Sequence, residues 1–194
     1  MASNLAVLHR AAETKQEDSD TVVQALVDLE RNMRALAKQD EHMAQRMQTA
    51  LNGDWQLIFT TGTKETEKKF GKINYFPLKA VQSFRTLQEP MLIENGIYFG
   101  DWAALKFEGT MTFDLRKRKL EFDFDKLRLF GFWDIALGQG EAAKLGASSG
   151  LGSKSNVANA EKNRQAFFNW ISADDKIATA RGAGGGLALW KRIG

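Results

Sequence analysis

Between Leu105 and Asp125 the chain alternates apolar and polar residues along two runs joined by one polar turn. Leu105, Phe107, Met111 and Phe113 alternate with Lys106, Glu108, Thr110 and Thr112. After "DLRKRK", Leu120, Phe122 and Phe124 alternate with Glu121, Asp123 and Asp125. Strand side chains point to opposite faces with a period of 2, so the runs form two antiparallel strands sharing one Phe-rich face. Such a hairpin must bury its oily face against more sheet, and that requirement constrains the rest of the chain.

The same period recurs on either side. Trp55, Leu57 and Phe59 alternate with Gln56 and Thr60 as a strand. "INYFPLKAVQSFRTL" holds a strand around Ala80–Leu87, set off by Pro77 and Pro90. "PMLIENGIYFGDW" reads as strand, Asn-Gly turn, strand, and "LRLFGFWDIAL" as strand and bend. Strands return with "FFNWIS", "KIATAR" and "LALWKRI", the last two separated by "GAGGG". About eight strands of this kind close most simply into an up-and-down antiparallel β-barrel, because closure removes exposed edges. "TKETEKKFGK" is a charged loop, residues 138–153 are a Gly/Ser-rich loop or linker, and residues 156–165 have room for one or two helical turns.

Upstream of Gly53 the period is helical. Residues 3–14 suit a short helix capped by Ser3, with Leu5, Leu8 and Ala12 on one side. Glu17, Asp18, Ser19 and Asp20 then supply a polar break and capping groups. From Thr21 to Leu51, Val22, Leu29, Leu36, Met43 and Ala50 recur every seven residues, with Leu26, Met33 and Met47 between them and only Asp40 breaking the row. That is one amphipathic helix, packed on its own domain in preference to a coiled-coil partner. Asn52 and Gly53 end it, because both tolerate a left-handed conformation. The expected division is a helical extension over 1–52 and a barrel over 53–194 with an insertion at 138–153.

Composition removes several function classes. The absence of Cys excludes disulfides, thiolate metal sites and Cys nucleophiles. The net charge of +3, tilted to the C-terminal end, is far weaker than the basic stripe of a nucleic-acid binder. No apolar run approaches the ~18 residues of a membrane span, so any membrane contact is peripheral. The N-terminal stretch lacks the apolar core of a secretory signal and turns acidic by Glu13, unlike a transit peptide. His9 and His42 fall on helical segments with no partner at metal-ligand spacing. "GAGGGL" and "GLGSKS" do not match G-x-x-x-x-G-K-[ST]. Glu121, Asp123 and Asp125 lie on the polar face, and Arg116–Lys119 is a solvated hairpin tip, with contact to anionic lipid as the alternative. No acid–base set converges, so the chain reads as a non-enzyme.

The positive signal is aromatic. Phe59, Phe107, Phe113, Phe122, Phe124 and Trp170 all fall on strands. An eight-stranded interior either fills with side chains or holds one small ligand. Periodicity does not separate the two, and a filled core is the default.

Three stretches carry a resemblance. "LNGDWQLIFTT" at Leu51–Thr61 resembles the pattern Leu-x-Gly-x-Trp-x-Leu-x-Tyr-Thr-Thr/Ser of the plastid lipid-associated proteins, or fibrillins, with Phe59 in place of Tyr. "AVQSFRTLQEPMLIENGIYFG" resembles their Gln-containing strand, turn and second strand. "FNWISADDKIATARGAGGGLALWKR" resembles their closing hairpin through Asp174, Ile177, Arg181, Gly182 and Leu189. The resemblance implies a lipocalin-like barrel in a chloroplast or on a cyanobacterial thylakoid, associated with thylakoids or plastoglobules. It implies hydrophobic partners (lipids, carotenoids or quinones), no other cofactor and no enzymatic activity. The interior would then be lined by Trp55, Phe59, Phe107, Met111, Phe113, Phe122 and Phe124. In lipocalin-like barrels a late base stacks on the entry Trp. Arg181, Lys191 and Arg192 are the candidates, and Arg181 fits the motif best, though this pair can be purely architectural. The alternative is an assembly subunit docked on a photosynthetic membrane complex through its helix or Gly-rich loop.

Overall fold

The computed structural model describes residues 2–62, 75–76, 78–100, 102–138, 141–142, 144–145 and 165–194. The charged loop over 63–72, most of the Gly/Ser-rich insertion and nearly all of the helical turns expected over 156–165 lie outside the described residues.

Among the described residues, three helices precede nine strands. Helix α1 spans Ala2–Thr14, α2 Ser19–Leu36 and α3 Met43–Leu51. Ser3 therefore lies inside α1 and does not cap it. Asp18 caps α2, its carboxylate accepting from the Thr21 amide at 2.9 Å and the Thr21 hydroxyl at 3.1 Å. Losing such a cap costs about 1 kcal/mol. Asp18→Ala is accordingly expected to lower the unfolding free energy by that amount, read as a lower urea midpoint at an unchanged denaturant slope.

The single helix expected over 21–51 is two. Asp40 accounts for the break: its carboxylate accepts from the His42 amide at 3.1 Å and binds the Arg46 guanidinium. These bonds give the backbone a turn to follow in place of the helix. The helical stop also differs from expectation. Asn52 is extended (φ −62°, ψ 116°), and Gly53 alone takes a positive φ, 144°.

The strands are β1 Gly53–Thr60, β2 Lys79–Arg85, β3 Met91–Phe99, β4 Trp102–Asp114, β5 Lys119–Leu129, β6 Trp133–Ala136, β7 Ala166–Ala173, β8 Ile177–Gly182 and β9 Leu187–Arg192. All pairings are antiparallel. They run β1–β2–β3–β4–β5–β7–β8–β9 and back to β1, a closed, barrel-like ring of eight. The ninth, β6, lies off the circuit on the far half of β5. The lower half of β5, Lys119–Phe122, pairs with β7, whereas Lys126–Leu129 pairs with β6.

One expected turn is absent. Asn95 and Gly96 sit inside β3, where Gly96 pairs with Val81 on one side and Lys106 on the other. A Cβ on Gly96 would lie 2.7 Å from the Tyr98 ring. The glycine therefore makes room for an aromatic neighbour and does not turn the chain.

Two apolar cores flank the sheet. Outside the ring, Leu8, Ala11 and Ala12 of α1 and Val22, Ala25, Leu26 and Leu29 of α2 pack on Ile58, Phe59, Ile171, Ile177, Leu187 and Leu189. Each fully buried large aliphatic side chain there stabilises the contact by roughly 1.5–3 kcal/mol. Inside, Trp55, Phe84, Ile93, Met111, Leu120, Phe122, Trp170 and Trp190 form the second core. Helix α3 sends Met47 and Leu51 into that same core and so covers the end of the ring where β1 begins. Thr86, just past β2, donates its hydroxyl to Gln48 O (2.7 Å) and its amide to Asn52 Oδ1 (3.1 Å), fixing α3 there.

Candidate functional site: an aromatic seam into the ring

The ring is unevenly closed. Pairing between β5 and β7 stops at Phe122–Ala166. Beyond it, β5 departs with β6, and Phe124 and Phe168 are only partly covered. From this seam a line of touching rings leads inward. Phe107 meets Phe124 (centroids 5.5 Å apart), Phe124 meets Phe122 (5.4 Å) and Phe122 stacks on Phe168 (5.2 Å). Phe168 touches both Trp170 (5.8 Å) and Trp190 (5.5 Å). Trp170 in turn meets Trp190 (5.3 Å) and, across the interior, Phe84 (5.4 Å). The line runs from partly exposed Phe107, Phe124 and Phe168 to buried Phe122, Trp170 and Trp190 and fully covered Phe84.

Alternation explains which side chains reach the interior. Strand β4 is regular from Leu105 to Phe113, so Phe107, Met111 and Phe113 share one face with Gly109. On β5, Leu120, Phe122 and Phe124 share the facing side up to a register shift opposite Glu108–Gly109. A Cβ on Gly109 would collide with Asp123 O and lie 2.7 Å from Phe124 Cα, so only glycine lets the two strands approach there. Met111 and Phe122 are buried, and Phe113 and Phe124 are partly covered members of the interior core.

Two expected interior residues face outward. Phe59 is the first. The pairing of β1 with β9 shifts register between Leu57 and Phe59, so Leu57 faces Trp190 inside while Phe59 pairs with Leu189 outside. One extra residue at a bulge exchanges the faces. Phe59 lies under the helices with its ring edge-on to Tyr75 at 5.1 Å. Arg181 is the second. On β8, Ala178 and Ala180 face the interior, leaving Arg181 on the helix side. Its guanidinium bonds Glu30 of α2 at 2.6 and 2.9 Å. Arg34 also bonds Glu30 at 2.8 Å. Bonding to Arg181 holds the Glu30 carboxyl below its usual value, with the Arg34 charge adding to the effect against a cost from burial.

The base that does stack on Trp55 is Arg192, its guanidinium carbon 4.3 Å from the ring. Trp55 is fully buried and its indole donates to Leu51 O at 2.8 Å. Arg192 donates to Asn52 O at 2.9 Å and also to Ala50 O. Trp55 and Arg192 thus satisfy three carbonyls at the C-terminus of α3, which a helix end leaves without intrahelical partners. This end is architecture. The interior aromatics that sequence reasoning did not name as lining (Phe84, Phe168, Trp170 and Trp190) were signalled by the alternation in "QSF", "FFNW" and "LALW".

Past the seam, the β5–β6 hairpin exposes Phe130, Phe132, Trp133 and Ile135, with Phe132 66% accessible. Trp133 contacts both Phe rings. The basic tip lies at the opposite end of β5 and is divided. Lys119 bonds Glu121 and lies 4.3 Å over the Phe167 ring, Lys117 lies 3.4 Å from Asp114, and Arg118 turns toward Met33 O of α2 at 3.5 Å. His9 lies 3.2 Å from Asp174, tying α1 to the β7–β8 turn. Among the described residues no three His, Asp or Glu side chains gather into a metal site, and no helix is long and apolar enough to cross a membrane. No protein-family model and no curated protein matches the chain.

Proposed function

We propose that this chain is a non-enzymatic, fibrillin-like protein of lipocalin-like architecture. In this reading it binds or organises lipids, carotenoids or quinones at thylakoid membranes or plastoglobules of a chloroplast, or at a cyanobacterial thylakoid. The observation that carries the proposal is the continuous line of rings from the partly covered Phe107 and Phe124 to the buried Trp170 and Trp190. An apolar aromatic path with a partly open mouth suits a greasy guest. Native purification followed by organic extraction and mass spectrometry tests it. A near-stoichiometric lipophile is the expected result; clean extracts together with no uptake of added lipid would end the proposal.

The exposed Phe130, Phe132 and Trp133 support contact with a lipid surface beside that mouth, since Trp favours the headgroup boundary and Phe the apolar layer just beneath it. Phe132→Ser with Trp133→Ser is expected to weaken sedimentation with lipid vesicles several-fold. Because both are exposed, stability should move by less than about 0.5 kcal/mol. The alternative reading, a subunit docked on a photosynthetic complex through its helix, has less support. The apolar face of α2 is already spent on the ring: Val22, Leu26 and Leu29 have no exposed surface.

A further inference from the structure

The three interior tryptophans are not equivalent. The Trp55 indole N–H is bonded to Leu51 O. The Trp170 and Trp190 indole N–H groups have no hydrogen-bond partner among the described residues, and neither does Gln82 Oε1. All three residues are more than nine-tenths buried: Trp170 and Trp190 are 2% exposed and Gln82 8%. Gln82 shares the interior face of β2 with Phe84, two residues on, and pairs in register with Trp55. The polar atoms therefore belong to the same interior as the aromatic line.

Buried polar atoms in folded proteins almost always find a partner, and a donor with none in the chain is met by a water, an ion or a bound molecule. Both donors here stand at the inner end of the seam. The two indoles touch each other, and both touch Phe168, which keeps some exposed surface. A guest seated against Phe168 would lie beside both indole rings.

We infer that the ring recognises a neutral lipophile bearing an oxygen acceptor, carbonyl or hydroxyl, through the indole N–H groups of Trp170 and Trp190. This rests on the proposed binding of lipophilic molecules and adds what the site selects among them. A plain hydrocarbon would leave both donors unpaired. A carboxylate would meet a single further donor, Arg192 Nε, which also has no partner among the described residues; the rest of that guanidinium is held by Trp55 and the carbonyls of α3, so most of the acid's charge would be buried uncompensated. A hydroxyl offers two acceptor sites and one donor, so it alone can also bond an acceptor such as Gln82 Oε1; a carbonyl offers acceptor sites only.

Three probes on one skeleton separate these cases: fluorene, with a CH₂ bridge, 9-fluorenone, with C=O, and 9-fluorenol, with CH–OH. The full chain is labelled with ¹⁵N and its indole N–H signals are followed during titration. Trp170→Phe and Trp190→Phe assign the two signals and remove the N–H while keeping an aromatic ring. The expected result is that an oxygen-bearing probe binds about 5- to 10-fold tighter than fluorene for each bond formed. The Trp170 and Trp190 signals move downfield and the Trp55 signal stays. In each Phe variant that preference shrinks while fluorene affinity holds. A preference for fluorenol that is lost in Gln82→Leu assigns the hydroxyl arm, and a preference for fluorenone assigns the carbonyl arm. Equal binding of all three probes with unmoved indole signals overturns the inference and leaves the lipophile reading standing. No binding of any probe overturns both. If a Phe variant does not fold, the order of the three wild-type affinities decides: fluorenone or fluorenol above fluorene supports the inference, and equal affinities overturn it.

Discussion

Trp55→Ala is expected to destabilise the protein by about 3–5 kcal/mol, the range for deleting a large buried aromatic side chain. The value should lie in the upper half of that range because three functions leave with the indole. The ring is fully buried among the interior aromatics and the residues of α3. Its N–H satisfies Leu51 O at 2.8 Å. Its face carries the Arg192 guanidinium at 4.3 Å, which in turn holds two more carbonyls at the end of α3. Trp55→Phe keeps much of the packing but frees the Leu51 carbonyl, and a buried group left unpaired costs about 1–3 kcal/mol. The predicted order in urea unfolding is wild type, then Trp55→Phe, then Trp55→Ala. If Trp55→Ala were within 1 kcal/mol of wild type, α3 would not be fastened by this residue at all.

That fastening shows how much of the molecule could be read in advance. The strands from Leu105 to Phe124, the helix ending before Gly53 and the entry Trp55 were all legible, because each rests on a local period or a local turn residue. The errors share one cause. A period says which residues share a face only while the ladder stays regular. At Ile58 an extra residue enters β1, and Phe59 crosses to the helix side; in "WQLIF" the alternation already breaks there, since Leu57, Ile58 and Phe59 are all apolar. That apolar run does not say which residue is extra; how β9 pairs across from it does. Asp40 was visible as a break in the heptad row, yet whether it bends or ends a helix depends on the partners its carboxylate finds, here His42 and Arg46. Gly96 looked like a turn residue beside Asn95, and only the Tyr98 ring above it explains a glycine in mid-strand.

The assignment of bases to partners was the least legible part. Arg181 and Arg192 lie in neighbouring strands of one hairpin, so either could be matched to Trp55 by motif. Their faces decide. Arg192 pairs directly with Trp55 across β9 and β1, while Arg181 points to α2. The partially open seam was likewise out of reach, because it arises where β6 replaces β7 beside β5, and strand order is not encoded in any single strand.

The Glu30–Arg181 contact yields the second large effect, and its sign follows from the carboxylate. Glu30 is nearly buried and accepts bonds from both Arg181 and Arg34. Removing one partner of a buried pair is costly because the other is left uncompensated, about 3–5 kcal/mol when burial is complete. Here the Arg181 side chain is 30% exposed and Arg34 remains, so about 2 kcal/mol is expected for Arg181→Met near neutral pH. The Glu30 pKa is lowered from 4.5 in the folded protein, chiefly by the bond from Arg181. A lowered carboxyl pKa means the folded state prefers the ionised form. Its contribution is therefore complete above the unfolded value near 4.5 and is lost as pH falls through the lower folded value. The stability gap between wild type and Glu30→Gln should thus be constant from pH 7 to about pH 5 and close progressively below it. Urea titrations at pH 7, 5 and 3 measure this directly. A gap that stays the same at pH 3 would mean that Glu30 acts through packing and neutral hydrogen bonds, and that its charge does not hold α2 against β8.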